Sequence, residues 1–165
     1  MDDRTLVERQ LGRTPRAFLG VACRCPFAAP AVTQQAPYGA DGTPFPTTYY
    51  LTCPALVAAL ARVEAAGGVE RWTRAVAADP ALQESLAAAH AEQRRIRREL
   101  AAGETGVDGG ASLDFGIGGS DRGGSLKCLH AHAAFALAQP GYDLGERILA
   151  EVEPRWPERC CTTTG

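Results

Sequence analysis

The hydrophobic pattern of the chain changes character near residue 53. Before that point apolar residues fall in short runs broken by glycine and proline. After it they recur every three or four positions, the spacing of a helix face. Residues 5–11 read as a short helix stopped by Gly12 and Pro15. Residues 18–22 form a strand that delivers Cys23-Arg24-Cys25-Pro26, and residues 31–36 form a second. A Gly/Pro/Asp loop over 38–46 leads into Thr47-Thr48-Tyr49-Tyr50-Leu51-Thr52, a run dense in β-branched and aromatic residues and the best strand in the chain.

The second half reads as helices. Proline favours the first helical position, so Pro54 places Cys53 at or beside the N-cap of a helix whose stripe is Leu56, Leu60 and Val63, closed by Gly67-Gly68. Val69, Trp72 and Val76 mark a short helix ending at Asp79-Pro80. Residues 81–102 form the longest, with Leu82, Leu86, Ala89, Gln93, Ile96 and Leu100 in a narrow seam. That seam packs inside the domain or serves a homodimer or a helical partner. A glycine-rich loop over 103–124, expected to be flexible, precedes a helix over 125–138 that is apolar nearly all round, hence buried. Residues 141–152 give one more helix, and 157–165 a loose tail. The expected fold is a single α+β domain over 1–165, a small antiparallel sheet from the N-terminal third packed with about five helices.

Composition narrows the function classes. The net charge of −2 argues against a general nucleic-acid binder, and Arg94, Arg95, Arg97 and Arg98 read as a solvated face. No run of about 18 apolar residues is present to span a bilayer. The N-terminus is charged, without the apolar segment of a signal peptide, which points to the cytoplasm, where thiols stay reduced. Six cysteines there indicate metal ligation or thiol chemistry rather than disulfides.

The candidate chemistry gathers on the helix over 125–138. Cys128 and His132 are four apart and share a helical face, a spacing that grips a metal or pairs a thiolate with an imidazole base. His130 points elsewhere and makes a buried hydrogen bond. Cys25 and Cys53 each precede proline at a strand end, so the expected metal set is Cys25, Cys53 and Cys128 with His132 or His130, holding zinc or an iron–sulfur cluster. Cys23, Cys160 and Cys161 are weaker candidates, with Cys160 able to complete the set if the tail folds back. The alternative is a metal-independent thiol enzyme, with Cys128 as nucleophile, His132 as base, and Lys127, the single lysine of the chain, holding an anion with the glycine loop and Arg122. The bland reading makes each cysteine a small buried hydrophobe.

Arg24-Cys25-Pro26, the run PFPTTYYLTCP from Pro44 to Pro54, and Lys127-Cys128-Leu129-His130-Ala131-His132 together resemble an uncharacterised bacterial family, the domain-of-unknown-function family numbered five hundred and one. The likeness covers nearly the whole chain. It implies a bacterial cytoplasmic protein, often encoded beside a septum-formation initiator and an exopolyphosphatase-like enzyme, and so an interaction module linked to cell division as a further alternative. It implies no specific reaction.

Overall fold

A computed structural model describes residues 1–120, 124 and 126–161. The chain opens with helix α1 (Asp3–Leu11), started by Asp2, whose carboxylate accepts the Thr5 N–H at 2.8 Å, and closed by Gly12 in the left-handed conformation. Three strands follow: β1 (Phe18–Arg24), β2 (Pro30–Gln35) and β3 (Tyr49–Leu51), paired antiparallel in the order β1-β2-β3. The centre strand is buried at every position but Gln34. The third strand is shorter than the run 47–52 suggests. Its flanks still pair, with Gln35 N–H donating to the Thr48 carbonyl and Thr52 N–H to that of Ala31.

Five helices complete the α+β fold among the described residues: α2 (Pro54–Ala65), α3 (Gly68–Ala78), α4 (Pro80–Ala101), α5 (Leu129–Ala138) and α6 (Asp143–Ala150). α5 is the central packing element. It lies against β3 on one side and α6 on the other, burying Leu129, His132, Ala133, Ala134, Phe135 and Ala136. Phe135 meets Tyr49 and Tyr142 edge-on, each at 5.6 Å between ring centres, a favourable aromatic geometry. Gly145 sets the approach of α6, because a Cβ there would stand 2.7 Å from that of Ala136.

The α4 seam is buried inside the domain at Leu82, Leu86, Ala89, Gln93 and Ile96, with Leu100 partly buried against the same core. The solvated-face reading fails for Arg97, which is wholly buried. It donates to the carbonyls of Phe45 and Ser112 at 3.0 and 3.1 Å. Residues 103–120, expected as a flexible loop, form two short 3₁₀ turns seated on α4. His90 Nδ1 accepts the Ile117 N–H at 2.9 Å, and Asp108 accepts from Ser112, Gly110 and the Tyr38 hydroxyl. Polar backbone that must lie against a core is thereby satisfied. The tail also folds back, with Trp156, Cys160 and Cys161 against the core. Among the described residues no helix is long and apolar enough to cross a membrane.

Candidate functional site

The start of α5 decides which side chains meet. The helix begins at Leu129, four residues later than the apolar pattern suggests. Lys127 takes a left-handed φ of 53°, which a non-glycine residue adopts only at a cost, and Cys128 is extended at φ −149°. The Leu126 carbonyl that an earlier start would place in the helix instead accepts from His132 Nε2 at 3.0 Å. Cys128 is therefore the N-cap residue rather than a member of the first turn. The i, i+4 relation to His132 does not hold, and Cys128 lies beside His130.

A third group completes the arrangement. Glu64, in the last turn of α2, places Oε1 2.6 Å from His130 Nδ1, 3.8 Å from Cys128 Sγ and 3.2 Å from the Leu129 N–H at the head of α5. Cys128 Sγ stands 3.9 Å from His130 Nδ1. His130 Nε2 faces the Val57 carbonyl at 3.0 Å, and a carbonyl can only accept, so that nitrogen carries a proton. With a carboxylate against Nδ1 as well, both ring nitrogens donate and the ring is a cation. The Cys128 sulfur, then the Val57 carbonyl and Glu64, push its pKa up to about 9 against the burial that opposes them. The imidazole and the carboxylate are each about a quarter exposed.

Cys128 and His130 also form part of the wall of a cavity of about 360 Å³, completed by Thr47, Tyr49, Tyr50, Leu51, Val57, Gly118 and Ala131. This is an apolar pocket with a few convergent polar groups, the usual form of a small-molecule site. Glu64, Cys128 and His130 are, among the described residues, the one group of Cys, His, Asp and Glu side chains tight enough to hold a metal ion, with their donor atoms within 4.8 Å of one another.

His132 was expected in the site and lies outside it. It is wholly buried, its Nδ1 accepts the Tyr142 hydroxyl at 2.8 Å, and its Nε2–H donates to Leu126, so it is a neutral packing residue with its pKa driven down to about 3 by burial. The expected three-thiol set does not assemble around Cys128. Cys53 is buried at the N-cap of α2, with its sulfur 3.7 Å from that of Cys161, and Cys25 is buried at the end of β1. The reason is the sheet register: Arg24 pairs with Pro30, and Val32 with Leu51, so Cys25 and Cys53 share one end of the sheet with the tail. Lys127 donates from Nζ to the Gly119 carbonyl at 3.2 Å, and Arg122 lies outside the described residues.

A family model supplies the remaining identification, matching residues 21–150. The chain belongs to the family described as Protein of unknown function (DUF501). The matched span of this family member holds Glu64, Cys128 and His130 and ends before Cys160 and Cys161. No curated protein and no solved structure matches the chain. Glu64 was not among the residues singled out from the sequence, although a signal was present. It is the only acidic residue of α2, whose one other charged residue is Arg62, and it sits in the last turn, where the helix dipole disfavours a carboxylate. Such a residue is held there by a partner.

Proposed function

We propose that this DUF501 member is a cytoplasmic zinc protein whose single ion is held by Glu64, Cys128 and His130, with a fourth coordination position open to the cavity beneath Tyr49 and Tyr50. The observation that carries the reading is the meeting of three different metal-ligating side chains, two of which, Cys128 and His130, line that cavity. Three protein ligands with one position left for water or substrate is the pattern of catalytic rather than structural zinc. His130 is prepared for it. The Val57 carbonyl fixes the proton on Nε2 and leaves Nδ1 to the metal, the outer-shell device that orients ligating histidines.

Donor atoms around a tetrahedral zinc stand roughly 3.3–3.6 Å apart. The two sulfur distances are within a few tenths of an ångström of that, and the Glu64–His130 pair must part by about 0.7 Å as its shared proton leaves. Zinc suits this set better than an iron–sulfur cluster, which needs several thiolates and finds one here. The ion would supply Lewis-acid polarisation and an activated water to a small, largely apolar substrate.

A metal-independent thiol reaction at Cys128 is the second reading, favoured by the 3.9 Å contact with His130. It is weaker because both imidazole nitrogens are already donating, which leaves no lone pair to take the thiol proton, and because Glu64 sets a negative charge beside the sulfur. Metal analysis of protein made with zinc supplied separates the two. One zinc per chain is expected in the parent protein, with at least tenfold weaker binding in each of Glu64→Gln, Cys128→Ser and His130→Gln. Zinc-free protein in which iodoacetamide alkylates Cys128 faster than a model thiol would favour the thiol reading instead.

A further inference from the structure

Five of the six cysteines lie away from the Glu64 site, and two of those five are in contact. Cys53 ends the path of β3 and caps α2, with its N–H directed to the Ala31 carbonyl at 3.3 Å and Pro54 following, so its position is fixed by the sheet and the helix together. Cys161 reaches it from the far end of the chain. The tail is brought back by Arg155, which pairs with Glu146 at 3.2 Å, and by the packing of Trp156 and Cys160 on the core. The Cys53 and Cys161 sulfurs end 3.7 Å apart, across 108 positions of sequence.

We infer that Cys53 and Cys161 are a redox-active dithiol that closes to a disulfide, tying the C-terminal tail to the N-terminus of α2. The sulfurs are in van der Waals contact, and the 2.05 Å bond requires an approach of only about 1.7 Å, within reach of side-chain rotation at the less confined Cys161. The thiols differ in a useful way. Cys53 is 2% exposed, and burial first, then Cys161, push its pKa up to about 11, whereas Cys161 is only half-buried. The entry point is accordingly Cys161.

The oxidant is a small disulfide such as glutathione disulfide. The Cys161 thiolate attacks one of its sulfurs, forming a mixed disulfide and releasing one glutathione thiol. Cys53, losing its proton to solvent, then attacks the Cys161 sulfur. That step forms the protein S–S bond, breaks the mixed disulfide and releases the second glutathione. Two protein thiols are oxidised and one small disulfide is reduced to two thiols. The buried partner is the resolving thiol, because it reaches Cys161 without leaving the core.

The test is titration of the full-length protein in buffers of graded glutathione to glutathione-disulfide ratio, with thiol counting and peptide mapping. Trypsin and chymotrypsin together separate Cys25 from Cys53, and a Cys160→Ser variant removes the adjacent thiol as a source of ambiguity. The expected result is loss of two thiols together, a Cys53–Cys161 cross-linked peptide, and a thermal midpoint raised by several degrees in the oxidised form. Cys53→Ser should stop at a glutathione adduct on Cys161. If that variant fails to fold, Cys161→Ser, altered in the tail alone, should leave Cys53 reduced at every ratio. Three results would overturn the inference: Cys53 reduced throughout in the parent protein, pairing of Cys53 with Cys25 or Cys160, or a zinc ion lost in Cys161→Ser and kept in His130→Gln.

Discussion

Two histidines on α5 stand two residues apart and have opposite chemistry. His130 is partly exposed, with both nitrogens facing acceptors and a carboxylate at 2.6 Å, and is held as a cation. His132 is wholly buried, accepts from Tyr142, donates to Leu126, and is held neutral. Alternation about the first turn turns one ring toward the α2 end and the cavity, and the other into the core beneath Tyr142. The contrast teaches that a histidine's role here follows from which atoms meet its two nitrogens. The neutral ring, with a hydroxyl and a carbonyl, is packing. The charged one, with a carboxylate and a thiol, is the group a metal ion can use in place of a proton.

The largest expected effect breaks the packing side of the contrast. His132→Ala removes a buried ring, leaves the Tyr142 hydroxyl without its acceptor and takes from the Leu126 carbonyl one of its two donors, so a loss of about 3–5 kcal/mol in urea unfolding is expected. His130→Gln should cost less than half as much in metal-free protein and weaken zinc binding at least tenfold. Equal destabilisation by the two substitutions would erase the distinction.

Stability against pH sharpens it, since the two sides respond with opposite sign. His132 and its neighbour His90, with ring centres 6.3 Å apart, have pKa values lowered by burial to about 3 and about 4. The unfolded chain therefore binds protons below pH 6.5 that the fold refuses, and metal-free stability should fall between pH 6.5 and 4, by on the order of 3 kcal/mol per histidine. His130 runs the other way. Its raised pKa contributes stability that is complete below pH 6.5 and lost as pH climbs through about 9, roughly 1–2 kcal/mol after allowance for its exposure. Urea midpoints across pH 4–10 should show both limbs, and His130→Gln should flatten only the alkaline one.

Much of the fold was legible in the sequence because its signals are local. Pro54 and Pro80 mark helix starts, Asp79 caps α4, and the 82–96 stripe faces the core. The candidate site was legible in residue types more than in pairing. Cys128 and His130 were both among the candidates, yet the helical spacing favoured His132, since nothing in the run Leu126-Lys127-Cys128-Leu129 signals that Lys127 adopts a positive φ and delays the helix. Glu64 lies 64 residues from Cys128 and joins it through the packing of α2 on α5, a tertiary contact that periodicity does not encode. The burial of Arg97 was hidden for a similar reason, because its partners are carbonyls of two distant loops.

That the charged histidine marks a zinc site with one thiolate is decided by zinc K-edge X-ray absorption on the zinc-loaded full-length protein. The expected spectrum has one sulfur scatterer at ~2.3 Å with the remaining ligands nitrogen or oxygen at about 2.0–2.1 Å. That spectrum should persist in Cys53→Ser or Cys161→Ser and disappear with Cys128→Ser. A shell of two or more sulfurs, or zinc that stays bound when Cys128 and His130 are both replaced, would contradict it and move the metal to the other end of the sheet.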